Sequence, residues 1–513
     1  MSEIVLCTLN AKYAHCSLAL RYLYANLGPL RERAVLREFI WHERACDIAE
    51  KILAEKPAIV GIGVYIWNAK ESLELVRIIK AVRPDVVVVV GGPEVSYEVE
   101  KQEITGLADY VVIGEGDTAF AELAQKILCE ETRPETRVIQ GGTPDLKLLE
   151  SPYSYYSDAD IESRSIYVEA SRGCPFKCEF CLSSLDLAVR QFPLENFLAD
   201  MKSLLDRGVR QFKFIDRTFN LSPRISSAIL EFFLEHMDLG LFVHFEMVPD
   251  RLPRALREVV ARFPAGSIQF EIGIQTFDPD TAERISRKQD LGRLEDNMNF
   301  LNKQTKVHVH ADLIIGLPGE DTASFARGFD RLVALGPHEV QVGILKRLRG
   351  TPIIRHDEEF EMVYSASPPY EILQNSVLSF EELARLKRFA RSWDLVANRG
   401  NFQESTALLW KDTKPFEGFM AFSEWLFSKA GHFTGIALDR LVKLMLEYLS
   451  EVLANPMDRV EAALVLSRDY RLCRPRLSSF LAEITGESTR FQPVEASHAT
   501  PKRQARHVAG EGN

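Results

Sequence analysis

Residues 171–181, Ser-Arg-Gly-Cys-Pro-Phe-Lys-Cys-Glu-Phe-Cys, decide how the rest of the chain is interpreted. They place three of the eight cysteines, Cys174, Cys178 and Cys181, in the spacing C-x-x-x-C-x-x-C. Three thiolates on one short loop can bind three irons of a [4Fe–4S] cluster and leave the fourth iron open to a substrate amine and carboxylate. The alternatives are three unrelated cysteines or a structural zinc site, which would need a fourth ligand from a distant part of the chain.

The cysteine loop directly follows the first of six predicted strands that alternate with helical patterns. Short apolar runs separated by amphipathic stretches predict βα units. Six such units favour a partial (β/α)6 barrel over a second open sheet. The predicted strands cover residues 166–170, 211–215, 242–247, 267–274, 307–315 and 339–344.

The residues before the cysteine loop predict a separate doubly wound domain. Its strand candidates are almost fully apolar, which is typical of a parallel sheet covered by helices on both faces. Ligands of such sheets bind beyond the carboxyl ends of the strands, so the turns after each strand are candidate binding segments. The strand candidates are 4–9, 34–39, 59–65, 86–90 and 110–113.

We therefore predict an α/β protein with an added helical region. A Rossmann-like domain covers residues 1–140, a polar linker 141–160, and the partial barrel 161–365. Helical patterns dominate 366–486, and the polar stretch 487–513 is expected to be disordered. Aromatic residues at 408–427 can stack a base or a tetrapyrrole, but helical spacing favours a buried helix core.

The composition restricts location and partners. The 513 residues are 46% hydrophobic and 26% charged, which is typical of a globular protein with a sizeable core. A net charge of −11 provides no general attraction to nucleic acid or anionic membranes. The apolar runs are shorter than the ~20 residues of a membrane span. Without a basic and then apolar start, no secretory signal is expected, so we predict a cytoplasmic protein.

The cysteine triplet, with Phe180 before its last cysteine, resembles the signature of the radical S-adenosylmethionine (SAM) superfamily. Segments 214–219, 245–247, 271–276 and 312–320 resemble later elements of that barrel. The resemblance implies that a [4Fe–4S] cluster on Cys174, Cys178 and Cys181 cleaves SAM to a 5′-deoxyadenosyl radical. It also implies a set of SAM-contacting residues, namely Phe180, Asp216, Glu246, Gly273 and Gln275. One departure is Asp216-Arg217-Thr218, which stands where a common subset has Gly-Gly-Glu.

Residues 1–140 resemble the cobalamin-binding domain that precedes the barrel in one large radical SAM class. The resemblance rests on four segments in sheet order, and glycine there lets a flat corrin approach the backbone. The alternative is an ordinary doubly wound domain whose glycine turns bind nothing. The cobalamin-contacting residues implied are Asn10, Tyr13, Tyr65, Trp67, Gly91, Gly92, Pro93, Glu94, Gly114, Glu115 and Gly116.

Two further expectations follow from comparison with neighbouring families. The Asp-x-His-x-x-Gly loop, with which many cobalamin enzymes coordinate cobalt, does not occur in this sequence. We therefore expect no protein imidazole on the cobalt. Methylthiotransferases carry three extra amino-terminal cysteines for a second cluster, but no cysteine lies between Cys46 and Cys129, and Cys7 reads as a buried apolar residue.

The preferred function is methylation of an unactivated carbon of a small-molecule or other unknown substrate. The low potential of the cluster implies a reductant such as flavodoxin or ferredoxin. One alternative is radical cyclisation, rearrangement or oxidation without methyl transfer. Another is a non-catalytic cobalamin or iron–sulfur sensor, although a structural cluster normally has four protein ligands.

Overall fold

The computed structural model describes residues 2–489 and 500–510 and divides into two compact units. The first unit contains Met1–Arg217 with two later segments, Lys346–Ile354 and Ser365–Glu371. The second contains Thr218–Leu345, Arg355–Tyr364 and the described residues from Ile372 onwards. The division falls inside the predicted barrel, so the units differ from the predicted domains.

The first unit contains a six-stranded parallel sheet in the order β2-β1-β3-β4-β5-β6. All seven residues of β1 are buried, as its apolar sequence requires. Five strands were predicted; the sixth, β6, is short and partly exposed and so lacks the apolar run that identifies the others. The strands are β1 Ile4–Asn10, β2 Ala34–Ile40, β3 Ile59–Gly63, β4 Val87–Gly91, β5 Tyr110–Ile113 and β6 Val138–Gln140.

Helices cover both faces of this sheet, which confirms the doubly wound fold. Ile48, Leu75 and Ile104 come from helices on one face and pack in one core. Leu20 and Phe120 come from helices on the other face and pack in a second core. The α-helices of the first unit are Leu18–Ala25, Ala45–Leu53, Ala69–Val82, Glu103–Leu107, Ala119–Leu128, Asp158–Ser163 and Leu194–Asp206.

The first unit also contains the start of the predicted barrel. Strands β7 (Ile166–Val168) and β10 (Gln211–Phe214) are parallel, with Phe212 opposite Ile166. Between them a short antiparallel pair, β8 (Ser171–Arg172) and β9 (Arg190–Gln191), closes the loop that carries the three cysteines. Two-residue strands leave no periodicity, so the sequence did not predict this pair.

The second unit contains the other four predicted strands, β11 (Phe242–Met247), β12 (Ile268–Gln275), β13 (His308–Ile315) and β14 (Glu339–Ile344). They pair in parallel and in chain order. All six predicted barrel strands are therefore present in the chain. The α-helices that accompany these four strands are Pro223–Leu234, Arg254–Val260, Pro279–Arg284, Leu291–Gln304 and Thr322–Leu335.

A helical region follows the last barrel strand, as predicted. Its aromatic residues form a core: Phe389 and Phe419 are fully buried, and their ring centroids lie 5.4 Å apart. The interpretation of residues 408–427 as a buried helix core is thus confirmed for Phe419. After the antiparallel pair β15 (Val363–Tyr364) and β16 (Ile372–Gln374), the α-helices are Phe380–Trp393, Ser405–Leu408, Pro415–Ala430, Leu438–Glu447, Arg459–Cys473 and Ser479–Thr485.

The last described segment corrects one expectation. Disorder was predicted for 487–513, yet Lys502–Gly510 is helical, so the prediction is wrong there. The cause is pairing of its basic residues with buried groups, which the polar sequence does not reveal. Arg503 Nη2 lies 2.6 Å from the Glu339 carboxylate, which is 1% exposed. Residues 490–499 and 511–513 lie outside the described residues.

None of the helices in the described part of the chain is both long and apolar enough to span a bilayer.

We predict that Arg503→Gln destabilises the second unit, because a buried carboxylate loses a charged hydrogen-bond donor. Such a loss costs about 1–3 kcal/mol, which thermal unfolding detects as a lower Tm. Lys502→Gln is the matched control, since Lys502 is exposed on the same helix. Equal Tm values for the two variants would contradict this role of Arg503.

Candidate active site

The first unit contains a cavity of about 400 Å³ at the carboxyl ends of β3, β4 and β5. Glycines from the turns after these strands form much of its wall. Seven of the residues assigned to cobalamin from the sequence line it: Tyr65, Gly91, Gly92, Pro93, Gly114, Glu115 and Gly116. Parallel pairing places these turns at one edge of the sheet, which is why residues distant in sequence come together.

Gly92 and Gly114 differ in the structural constraint that favours glycine at each position. Gly92 has a φ of +107°, and a Cβ there would lie 2.6 Å from the Val64 carbonyl oxygen. The backbone itself therefore requires Gly92. Gly114 has a φ of +76°, but the nearest atom to a Cβ would be 3.7 Å away. Gly114 thus combines a left-handed turn with open space beside the cavity.

An aromatic pair stands at the end of β3. The rings of Tyr65 and Trp67 are stacked, with centroids 4.5 Å apart and an interplanar angle of 7°. Trp67 Nε1 donates a hydrogen bond to the Leu9 carbonyl oxygen at 3.1 Å, which fixes the pair to β1. Tyr65 lines the cavity, whereas Trp67 is not part of the wall and is 45% exposed.

Besides Trp67, three other residues assigned to cobalamin do not line the cavity. Asn10 donates hydrogen bonds to the His15 carbonyl oxygen and to Glu38. Tyr13 lies under the Arg164 guanidinium, 4.5 Å from ring centroid to Cζ. Glu94 accepts hydrogen bonds from Arg349 Nε at 3.0 Å and from the Tyr370 hydroxyl at 2.5 Å. Asn10, Tyr13 and Glu94 are therefore engaged with other protein groups.

The cysteine loop adjoins the same cavity. Cys174 and Cys178 are buried and Cys181 is half-buried. Leu182, directly after Cys181, lines the cavity, while Phe180 is half-buried and does not. Burial and the nearby Cys181 and Cys178 raise the pKa of the Cys174 thiol, which disfavours its deprotonated form. A bound cationic metal centre would oppose this effect, because cysteine binds metals as the thiolate.

Another group of side chains also offers potential metal ligands. In the described part of the chain, ligand atoms of Cys16, Glu38 and Asp160 all lie within 4.8 Å of one another. Glu38 and Asp160 already pair with Arg21, at 2.9 and 2.8 Å.

The remaining amino-terminal cysteines do not suit a second cluster. Cys7 is fully buried within β1, and burial raises the pKa of its thiol to about 12. Cys46 and Cys129 are exposed.

Arg172 is the main residue of this site that the sequence did not single out. It donates hydrogen bonds to Glu115, Asp117 and Glu169. These carboxylates and Arg172 itself all line the cavity. Burial raises the pKa of Glu169, and the charge of Arg172 opposes that rise. A single arginine carries no motif, so only its position before Gly173-Cys174 could have suggested it.

Asp216 lies at the end of β10 in the first unit and is 2% exposed. It accepts hydrogen bonds from the Ser171 hydroxyl at 2.6 Å and the Ala170 amide at 3.0 Å. Burial nevertheless raises the pKa of its carboxyl to about 7. Its side chain supports the strand that leads into the cysteine loop.

The other residues assigned to SAM lie in the second unit. Glu246 and Glu271 are opposite each other on β11 and β12. Burial raises the pKa of Asp312 on β13 to about 6, and the charges of Glu271 and Glu246 add to the rise. Gly273 and Gln275 lie at the end of β12, where Arg287 Nε donates to the Ile274 carbonyl oxygen at 3.0 Å. This face of the sheet thus offers several hydrogen-bond acceptors.

Comparison with known proteins divides the chain into three matched regions. Residues 5–124 match a B12 binding domain and residues 168–332 match the radical SAM superfamily. Residues 358–487 match a family described as proteins of unknown function (DUF4080).

The curated relatives include methyltransferases. The chain is 26% identical over 326 residues to 2-(S-pantetheinyl)-carbapenam-3-carboxylate methyltransferase of Streptantibioticus cattleyicolor, covering 55% of this chain and 46% of that one. It is 26% identical over 345 residues to the cobalamin-dependent radical SAM methyltransferase TokK of Streptomyces tokunonensis, covering 56% and 47%. The chain therefore spans about half the length of these relatives.

A solved structure shares the fold. The radical SAM methyltransferase TsrM from Kitasatospora setae, with cobalamin and a [4Fe–4S] cluster bound, superposes with a TM-score of 0.58 at 17% identity. The match covers 100% of each chain.

We predict that cobalamin in this cavity has no histidine ligand. Within residues 2–489 and 500–510, no histidine lines the cavity. His15, the histidine nearest to it in sequence, is engaged through Nδ1 with the Tyr167 hydroxyl at 2.6 Å. The electron paramagnetic resonance spectrum of bound cob(II)alamin should be identical in unlabelled protein and in protein carrying ¹⁵N-histidine. A change in nitrogen splitting on labelling would refute the prediction.

We also predict that Asp216 makes the first unit less stable as pH rises. The folded state keeps this carboxyl protonated up to about pH 7, whereas the unfolded chain releases the proton near 3.8. The contribution of Asp216 to the free energy of unfolding is therefore fully present below pH 3.8 and is lost as the pH rises through 7. In melts of the cofactor-free protein, Asp216→Asn should reduce the fall in Tm between pH 5 and 8. The control variant Asp158→Asn, at an exposed carboxylate, should show the same change of Tm with pH as the unmodified protein. The same change of Tm with pH in all three proteins would contradict the prediction.

Proposed function

We propose that this chain, a radical SAM protein with an amino-terminal B12-binding domain, is a cobalamin-dependent methyltransferase that methylates an unactivated carbon. The observation that carries the proposal is the shared wall between the two candidate cofactor sites. Leu182, which follows the last cysteine, and Gly91–Pro93 and Gly114–Gly116 border one cavity. A methyl group held in that cavity would therefore lie close to the cysteine loop.

The overall reaction consumes two molecules of SAM. One donates its methyl group and leaves as S-adenosylhomocysteine. The other accepts an electron and is cleaved to methionine and 5′-deoxyadenosine, which carries away the substrate hydrogen. A second electron is needed to join the methyl group, which SAM gives up as a cation, to the substrate radical, so an external reductant supplies two electrons per turnover. When bound, the cluster would supply the electron that cleaves SAM, and cobalamin would carry the methyl group.

The residues of the chain hold and shield these groups. Cys174, Cys178 and Cys181 are the proposed cluster ligands, and their arrangement leaves one iron for the amine and carboxylate of SAM. The glycine turns would admit a flat corrin, and the Tyr65 ring would supply apolar surface in the wall of the cavity. Asp216, Glu246, Gly273 and Gln275 remain proposed SAM contacts.

The proposal also names a partner and a compartment. A low-potential cluster needs a reductant, for which a flavodoxin or ferredoxin is suited. Such a cluster also needs a reducing compartment, so we place the protein in the cytoplasm. The substrate stays undefined, with the helical region that matches DUF4080 as the candidate for selecting it.

The test is anaerobic reconstitution with iron, sulfide and hydroxocobalamin, followed by dithionite, SAM and chromatography of the nucleosides. We expect 5′-deoxyadenosine from uncoupled cleavage, and S-adenosylhomocysteine only when cobalamin is present. Cys178→Ala should abolish 5′-deoxyadenosine because the cluster loses one of its three ligands, whereas Cys129→Ala, at an exposed cysteine, should not.

Other outcomes point elsewhere. Formation of 5′-deoxyadenosine with no cobalamin-dependent S-adenosylhomocysteine would replace methyl transfer by radical rearrangement, cyclisation or oxidation. Binding of SAM with neither nucleoside, in protein with a full cluster and bound cobalamin, would favour a sensor.

A further inference from the structure

We propose that Arg172 is a positioning residue that locks the wall of the cobalamin cavity to the base of the cysteine loop. The inference rests on the proposed function, because it assigns a role in aligning the two cofactors. The evidence for this role of Arg172 is its hydrogen bonds and its strand register, all within the first unit.

The guanidinium of Arg172 is bonded to three carboxylates. Nη1 lies 2.8 Å from both Glu115 and Asp117, and Nη2 lies 3.1 Å from Asp117. Nε lies 2.9 Å from Glu169, at the end of β7. Glu115 and Asp117 belong to the turn after β5, so one side chain joins the glycine turn of the cavity to the strand that leads into the cysteines.

Strand register places a second arginine beside the first. Arg172 and Arg190 are opposite each other in the β8–β9 pair that closes the cysteine loop. Like charges opposite each other destabilise a strand pair. Here both arginines bond to Glu115, and Arg190 also bonds to Asp186 at 3.0 Å. Glu115 therefore compensates the repulsion and ties both sides of the loop base to the cavity wall.

The surroundings of Arg172 favour a guanidinium over an ammonium. Its side chain is 13% exposed, and its Cζ lies 4.6 Å from the Tyr22 ring centroid and 5.6 Å from that of Phe192. A planar guanidinium stacks on aromatic rings and offers donors in several fixed directions, whereas lysine offers a compact point charge. Lysine keeps the charge but cannot reach all three carboxylates at once.

The loop base also supports a cluster ligand directly. The Cys174 amide donates a hydrogen bond to the Asp186 carbonyl oxygen at 2.8 Å. Gly173 has a φ of +91°, and a Cβ there would lie 2.3 Å from the Ala188 carbonyl oxygen. Arg172 thus precedes a tightly packed turn, so a shift of its side chain is transmitted to Cys174.

The experiment compares Arg172→Lys with the unmodified protein and with Arg21→Lys. Arg21 is a matched control: it is 3% exposed, bonds to Glu38 and Asp160, lies 4.4 Å from the Tyr156 ring centroid, and does not line the cavity. Both variants should lower Tm. Iron, sulfide and cobalt analysis then establishes the occupancy of each cofactor.

Two readouts do not depend on turnover. In dithionite-reduced protein, the magnetic interaction between the cluster and cob(II)alamin reports their separation by electron paramagnetic resonance. We expect Arg172→Lys to weaken or broaden that interaction at full occupancy, while Arg21→Lys leaves it unchanged. In cofactor-free protein, hydrogen exchange at residues 113–117 should be faster in Arg172→Lys only.

Activity provides a third readout. S-adenosylhomocysteine formation should fall about 10- to 100-fold in Arg172→Lys, the usual effect of losing a residue that orients a metal site, while 5′-deoxyadenosine formation changes little.

Unchanged magnetic interaction and unchanged hydrogen exchange in Arg172→Lys, or equal changes in Arg21→Lys, would overturn the proposal. If Arg172→Lys does not fold, Asp117→Asn removes one partner of Arg172 and is judged by the same readouts. Failure of the proposed function would instead be seen in the unmodified protein, which would form neither S-adenosylhomocysteine nor 5′-deoxyadenosine. Hydrogen exchange at residues 113–117 would still decide the role of Arg172 in that case.

Discussion

Parallel strand pairing is the constraint on which the candidate site depends. Within each sheet it brings the carboxyl ends of neighbouring strands to one edge, and the functional segments of the first unit follow such strand ends. The turns after β3, β4 and β5 supply the cavity wall, and the cysteine loop follows β7. Because all these turns belong to one compact unit, the cluster loop and the corrin cavity are built on a common scaffold.

The sequence predicted the elements well where burial imposes a pattern. Strands such as β1 and β4 are continuous apolar runs because helices cover both faces, and five of the six strands of the first sheet were identified. Strand β6 was missed because its partly exposed residues form no such run. The Lys502–Gly510 helix was missed because its partner, Glu339, is distant in sequence and buried in the fold.

The candidate site was predictable to the extent that it is encoded in short motifs. The cysteine triplet and the glycine turns at 91–93 and 114–116 are local patterns, and the glycine turns do line the cavity. Asn10 ends β1, Tyr13 follows that strand and Glu94 lies in the turn after β4, but their side chains contact other protein groups. Side-chain direction depends on tertiary neighbours such as Arg164, Arg349 and Tyr370, which no local pattern reveals. The same is true of Arg172, because two of its carboxylate partners, Glu115 and Asp117, lie far before it in the sequence.

The short pair β8–β9 has a consequence for how the cluster is built. Many metal-binding loops gain their order only from the metal, and the entropy of closing the loop then weakens binding. Here backbone pairing at 171–172 and 190–191 already joins the two ends of the loop. Much of the closure entropy is thus lost during folding, before any iron arrives. The base of the loop is accordingly held by backbone hydrogen bonds that do not themselves require the cluster.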